Sequence, residues 1–439
     1  MPETSPSIRV IEDVVCTVCG CVCDDLKVEI SGDRVTGISP GCSLAEPWFA
    51  AQTKQKQSYR VAGESTSRER AIATAVEILR TAKAPLVYGL SRSSTPGQRA
   101  AVRLADQLQA NIDTTASTCH APSIMALQQV GESTSSLGEV RNRSDLIVYW
   151  GSNPTKSHPR HMERFVDAVG QFVPGGRGGR HVVVIDTVET ETAKLADTFI
   201  QIAPGGDFDF IWALRGLLAG VEIPQADVAG IPSGQLHDFV ELLKNCHYGT
   251  FFFGLGLTQK GVPHANVESL LRLSTDLNQF TRFTARRMRI PGDVAGADCV
   301  LCWQTGFPFS VNLARGFPRY NPGEYTAGKL LERGEVDAVL LVGSEGVDKL
   351  TPAAQQTLQR LPVIVLDYPN VKCPVPAAVH FTTAIYGVHQ RGTVYRMDEV
   401  PIELRTLFDS DLPADEEILH AILGELQLPF ENAVLCDDN

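Results

Sequence analysis

Six short runs of almost continuous apolar residues, at 86–90, 146–151, 182–186, 251–254, 338–343 and 363–367, constrain the fold of this chain more than any other feature. Each closes on Gly or Asp or one residue short of it, and stretches with helical spacing lie between them, clearest at 68–82 and 98–108. A strand apolar on both faces must be covered on both faces, which is the condition of a parallel sheet in a doubly wound α/β layer. The runs fall into two sets, 86–186 and 251–366, and predict two such sheets. Residues 1–60 have another texture. Leu26-Lys27-Val28-Glu29-Ile30 alternates, Ser31-Gly32-Asp33 turns, and Val35-Thr36-Gly37-Ile38 returns, predicting a small strand-rich cap.

The 439 residues carry a net charge of −12 with no block of Lys or Arg, which argues against a nucleic-acid partner. No apolar run is long enough to span a bilayer. The opening Met-Pro-Glu-Thr-Ser-Pro-Ser lacks the charged and apolar regions of a signal peptide, so a cytoplasmic protein without membrane contact is expected. Eleven cysteines in such a compartment suggest metal ligation or buried thiols rather than disulfides.

Five of them cluster at the start. Cys16, Cys19 and Cys23 are spaced C-x2-C-x3-C, Cys21 lies inside the run, and Cys42 follows in Gly41-Cys42-Ser43. Three local thiolates and one distal suit an iron–sulfur cube. A zinc site would use the same four sulfurs, although zinc ribbons usually show two C-x2-C pairs. Cys246, Cys299, Cys302, Cys373 and Cys436 read as buried small hydrophobes.

In open parallel sheets, ligands bind beyond the carboxyl ends of the strands. Those ends carry Gly151-Ser152-Asn153-Pro154, Asp186-Thr187, Gly254-Leu255-Gly256, Gly343-Ser344 and Asp367. Any one is an ordinary turn. Together, small residues that admit a phosphate and carboxylates that accept from ribose or amino groups favour a large nucleotide-like ligand. No G-x-x-x-x-G-K-[ST] is present, which excludes a P-loop.

Three further segments are rich in chemistry-bearing residues. Thr118-Cys119-His120-Ala121-Pro122 places a thiol and an imidazole before a helical run, whose N-terminal dipole is expected to lower the thiol pKa. By itself a Cys–His pair more often reflects packing than catalysis. Met288-Arg289, Trp303-Gln304-Thr305-Gly306 and the aperiodic stretch from Arg315 to Glu324 would line a ligand well, since an arginine fork matches two oxygens. A polar, glycine-rich segment from Tyr386 to Asp398 includes Gly392.

These landmarks taken in order resemble the B subunit of formylmethanofuran dehydrogenase, including its bacterial relative in the formyltransferase/hydrolase complex. The resemblance runs through C-T-V-C-G-C-V-C-D-D from Cys16, T-C-H-A-P-S from Thr118, L-G-E-V-R-N-R-S-D from Leu137, and W-G-S-N-P from Trp150 with H-P-R-H at His158–His161. It continues through T-E-T-A-K-L-A-D from Thr190, W-Q-T-G-F-P-F from Trp303, R-G-F-P-R-Y-N-P-G-E from Arg315 and G-T-V-Y-R-M-D from Gly392.

The resemblance implies a molybdopterin oxidoreductase fold: two doubly wound, mostly parallel sheets with an iron–sulfur cap, lacking the C-terminal pterin-binding barrel, which the family carries on a separate subunit. It divides the chain into a cap (1–60), a first α/β domain holding the active-site Cys (61–180), a pterin-binding segment (181–250) and a second α/β domain (251–439). It implies a [4Fe–4S] cluster on Cys16, Cys19, Cys23 and Cys42, with Cys21 an extra. It further implies tungsten or molybdenum bis(pterin guanine dinucleotide) ligated by Cys119, with His120 and Arg289 holding CO2 or formate oxygens. Gly151, Asn153, Asp186, Gly254, Gly343, Asp367 and Gly392 become the cofactor-binding set. The expected partners are A-, C- and D-type subunits, CO2 or formate, and a methanofuran-type carrier amine.

The chain departs from the family where Gly-His-Tyr-Asn usually follows Met-Arg and Ile290-Pro291-Gly292-Asp293 stands instead. Ala121 replaces a Gly, and the Thr-Ala after the late strand-end Asp is missing around Asp367–Pro374. Three readings follow: a redox subunit in CO2/formate chemistry, a non-redox scaffold beside hydrolase and transferase subunits, and, outside the family, a zinc-stabilised interaction module.

Overall fold

The computed structural model describes residues 8–427; Cys436 lies outside them. The cap is a three-stranded antiparallel sheet of Ile8–Val14, Leu26–Ser31 and Arg34–Ser39. Its hairpin turns on Gly32, whose φ of +59° is left-handed backbone that glycine adopts without strain.

All six apolar runs are strands, and they lie in two sheets as expected, but the sheets do not divide the chain where the two sets divide. Leu146–Trp150 and His181–Asp186 join Thr198–Gln201, Tyr248–Phe253 and Arg282–Arg287 in a five-stranded, wholly parallel sheet. Pro85–Gly89 joins Asn111–Thr114, Ala338–Val342, Val363–Asp367 and Val379–Thr382 as the parallel centre of a nine-stranded sheet. The chain thus starts the larger sheet, leaves it after Thr114, builds the smaller one, and returns after Arg287. The grouping 86–186 against 251–366 is corrected accordingly. Apolar strands of this kind carry no mark of which neighbour they pair with, because every one is buried on both faces.

Antiparallel strands close the larger sheet at both ends: Val311–Asn312 with Arg319–Tyr320 on one side, Tyr59–Val61 with Glu64–Ser65 on the other. The stretch expected as a ligand-lining loop therefore contributes an edge strand.

Helices cover both faces. Arg68–Thr81 starts with Ser67 accepting from the Arg70 N–H and buries Ala71, Ile72, Ala75, Val76 and Leu79 on one stripe. Thr95–Gln107 and Asp415–Gln427 share that core. The cap is fastened to the smaller sheet, since Val14, Leu26, Val28 and the four local cysteines pack with Tyr149, Phe165 and Phe252. No helix among the described residues is long and apolar enough to cross a membrane.

Candidate active site

Two crossings of the chain bring the predicted reactive residues together. After Asn111–Thr114 of the larger sheet, a 3-10 turn, Thr115–Thr118, delivers Cys119 and His120 to the start of the helix Ala121–Val130. After Arg282–Arg287 of the smaller sheet, the chain passes Arg289 and enters the helix Val294–Thr305. His120 Nε2 lies 2.6 Å from Asp298 Oδ2, and Arg289 Nη1 lies 3.6 Å from the same oxygen. Thr114 Oγ1 donates to Asp298 Oδ1 at 2.9 Å. All four side chains are buried. Asp298 is not among the residues expected from the sequence.

Charge around Arg289 is balanced by acids. Glu399 pairs with Arg286 at 2.7 Å, Arg289 at 3.2 Å and Arg287 at 3.6 Å, while Arg287 also pairs with Glu132 at 3.2 Å. Burial raises the Glu399 carboxyl, but the three guanidiniums outweigh it and hold it below the usual range. Burial lowers His120 more than Asp298 raises it, favouring a neutral ring. Cys119 is half-buried, and burial pushes its thiol up although Lys349 and Arg289 pull it down. The expected lowering by the following helix is therefore overturned, because desolvation is the larger effect here.

The Cys-rich loop meets this site through its backbone. Gly20 N–H donates to the Arg289 carbonyl at 3.1 Å, Met397 N–H donates to the Gly20 carbonyl at 3.0 Å, and the His158 ring bonds the Arg289 carbonyl at 2.8 Å. Arg160 clasps Asp25 with two bonds of 2.8 and 2.7 Å, and Arg164 pairs with Asp24. Within the H-P-R-H segment, Arg160 thus holds the Cys loop and His158 the Arg289 carbonyl. Two acids immediately after Cys23, facing two arginines four apart, are the only sequence signal of this clamp.

The four expected cluster ligands are near one another. Cys16, Cys19 and Cys23 are buried and Cys42 half-buried. Burial pushes Cys16 well up, and Cys19, Cys23 and Cys42 push it the same way, so the four sulfurs sense each other. Ala45 N–H points at Cys42 Sγ at 3.4 Å; the Cys19 thiol is lowered by its hydrogen bond with Cys21 and by Arg164, whereas burial pushes the Cys23 thiol up to about 11 although Arg164 pulls it down. A buried sulfur set with an N–H and a cation beside it fits an anionic thiolate cluster. Among the described residues, no three His, Cys, Asp or Glu side chains are arranged to hold a single metal ion. Cys246, Cys299, Cys302 and Cys373 are half-buried, not buried as expected.

The predicted cofactor residues occupy the carboxyl edges of both sheets. Gly151, Asn153, Asp186 and Gly254 lie on the smaller sheet. Asn153 accepts from Thr192 Oγ1 at 2.7 Å and donates to Glu191 at 2.8 Å, and Asp186 accepts from the Thr187 N–H at 2.7 Å. A Cβ on Gly151 would stand 2.6 Å from Leu257 N, and one on Gly254 would stand 2.7 Å from the Gly151 carbonyl. These glycines let two loops touch. Gly343 and Asp367 lie on the larger sheet, where Asp367 accepts from Ser344 Oγ and from the Tyr368 N–H at 2.9 Å. Gly392 packs against Ser94 in the loop that follows Pro85–Gly89. Glu345, missed in the sequence, is half-buried there, with both carboxylate oxygens buried and unpartnered. Among the described residues, no hydrogen bond or ion pair joins the stretch from Arg315 to Glu324 to Cys119, His120 or Arg289.

Comparison with known proteins agrees with this architecture. No protein-family model matches the chain. Over 432 residues it is 38% identical to the B subunit of tungsten-containing formylmethanofuran dehydrogenase 2 of Methanocaldococcus jannaschii, covering 96% of this chain and 99% of that one. It is 23% identical over 286 residues to the B subunit of the formyltransferase/hydrolase complex of Methylorubrum extorquens, covering 65% of this chain and 74% of that one. The solved structure of that bacterial complex with methylofuran superimposes with a TM-score of 0.71 at 21% identity, covering 84% of this chain and 98% of that one. Acetylene hydratase of Pelobacter acetylenicus has a like fold, with a TM-score of 0.68 at 12% identity over 94% of this chain and 69% of that one. An α/β fold built on two sheets with parallel centres defines the class. The chain belongs to the family of formylmethanofuran dehydrogenase B subunits, whose members are parts of an enzyme complex.

Proposed function

We propose that the chain is the redox subunit of a formylmethanofuran dehydrogenase-type complex, interconverting CO2 and formate in one-carbon metabolism in the cytoplasm. The observation that carries this reading is the convergence of His120 and Arg289, from different sheets, on one carboxylate beside Cys119. Cys119 is the proposed ligand of tungsten or molybdenum in bis(pterin guanine dinucleotide), which supplies two-electron chemistry when bound. Its dinucleotide arms are assigned to the carboxyl edges of the two sheets, with Gly151, Asn153, Asp186 and Gly254 on one and Gly343, Asp367 and Gly392 on the other. Arg289 binds substrate oxygens, and His120 holds or moves a proton. A [4Fe–4S] cluster on Cys16, Cys19, Cys23 and Cys42 carries electrons. Partner subunits of the A, C and D types supply the pterin barrel and pass formate to a methanofuran-type amine. Metal and pterin analysis of the complex purified without oxygen tests this: tungsten or molybdenum with pterin supports it, and their absence sinks it.

A second reading is favoured by the likeness to the bacterial formyltransferase/hydrolase protein and by Ile290-Pro291-Gly292-Asp293. In it the chain is a non-redox scaffold in a complex that releases formate from a formyl carrier. Cys119→Ala would then leave formyl transfer and formate release unchanged in the assembled complex.

A further inference from the structure

Two polar atoms of the site are buried without a partner: His120 Nδ1 and Arg289 Nε. One can accept a hydrogen bond and the other can only donate. Both belong to side chains whose opposite end is held by Asp298, at 2.6 Å through His120 Nε2 and at 3.6 Å through Arg289 Nη1. A carboxylate only accepts, so the proton on a neutral His120 belongs on Nε2 and the lone pair on Nδ1. Asp298 is itself fixed by Thr114 Oγ1 from the larger sheet and by the helix Val294–Thr305. Its charge completes a balance: Arg286, Arg287 and Arg289 face Glu132, Glu399 and Asp298.

We propose that Asp298 is a positioning residue of the CO2/formate site, which locks His120 as the Nε2–H tautomer, orients Arg289, and cancels enough positive charge to keep a small carboxylate loosely held. The proposal deepens the redox reading and rests on it for the identity of the ligand. The substrate class is a one-carbon carboxylate and its neutral dehydrogenated form. An acceptor, His120 Nδ1, and a donor, Arg289 Nε, each buried without a partner, suit its C–H and oxygen ends. The cancelled charge favours release of the anion.

The test has two arms on different material. In the full-length chain labelled with 15N-histidine, the ring signals of His120, assigned by loss in His120→Gln, are expected to report the Nε2–H tautomer. In Asp298→Asn the amide can donate to Nε2, and the tautomer is expected to invert to Nδ1–H with the thermal midpoint preserved. A wild-type ring in the Nδ1–H form, or an unchanged tautomer in a folded Asp298→Asn, overturns the proposal; if that variant fails to fold, the wild-type tautomer alone decides. In the assembled complex, Asp298→Asn is expected to lower kcat for formate oxidation at least tenfold while lowering KM for formate about tenfold. A raised KM overturns the charge-balancing role. A wild-type complex with no formate oxidation at all instead overturns the redox reading, and the tautomer arm still stands or falls separately.

Discussion

The backbone N–H of Gly20 donates to the carbonyl oxygen of Arg289 at 3.1 Å, so the Cys-rich loop and the candidate substrate arginine share one hydrogen bond. A Cβ at residue 20 would stand 2.5 Å from that oxygen and 3.0 Å from Met397 Cβ, and neither is the end of a flexible side chain. Gly20→Ala is expected to destabilise the chain by about 1–3 kcal/mol and to loosen Arg289 with it. Thermal unfolding reads the first effect. Reduced iron content together with weakened formate binding reads the second, and a variant with wild-type values for all three would show that the loop and the arginine are independent.

The Arg160 clamp has a pH signature. Burial pushes the Asp25 carboxyl up, but Arg160 and Arg164 outweigh it and hold its pKa below the usual value. A depressed folded pKa stabilises the fold above the ordinary carboxyl value, and that stabilisation is lost as pH falls through the folded value. Arg160→Ala is expected to cost about 1–3 kcal/mol near pH 7 and progressively less below about pH 4. Denaturant midpoints of both proteins across pH 3–7 check the convergence.

Gly151 distinguishes loop packing from ligand packing. Its φ is +53°, and a Cβ would meet Leu257 N at 2.6 Å. Gly151→Ala should therefore destabilise the chain by about 1–3 kcal/mol even when no cofactor is bound. A loss seen only in the cofactor-loaded complex would mean that the glycine serves the ligand instead.

Glu345 predicts the opposite pH trend to Asp25. Burial raises its carboxyl to about 7, and both oxygens lack partners. A raised acid stabilises the fold below its unfolded value, and that contribution is lost as pH rises through the folded value. Each pH unit between the two is worth about 1.4 kcal/mol, so ionised Glu345 costs the fold about 3 kcal/mol at pH 8. Glu345→Gln should stabilise the chain at pH 8 relative to its effect at pH 5, as read by paired thermal scans.

Strands are legible in the sequence because a run such as 363–367 is apolar almost throughout, and Val363–Asp367 is buried along its whole length. Their partners are not, since Leu86 and Leu146 look alike yet lie in different sheets. Cys119, His120 and Arg289 are found through motifs. Asp298 and Glu399 escape because an isolated acid in a helix or loop shows nothing until two distant segments fold against it. The thiol pKa is misread for a related reason: the helix following Cys119 is visible in the sequence, whereas the depth of its burial is a tertiary property.

The chain's departure from the larger sheet after Thr114 and its return after Arg287 make the smaller sheet an inserted unit on a two-stranded neck. Cys119 and His120 ride on the outgoing strand of that neck, and Arg289 rides on the incoming one. The hydrogen bond from His120 to Asp298 therefore ties the outgoing connection to the returning one. That bond is one of several ties between the inserted unit and the rest of the chain, beside Arg286 with Glu399 and the Leu137 N–H with Asp398, so the site is held closed by contacts that lie outside it.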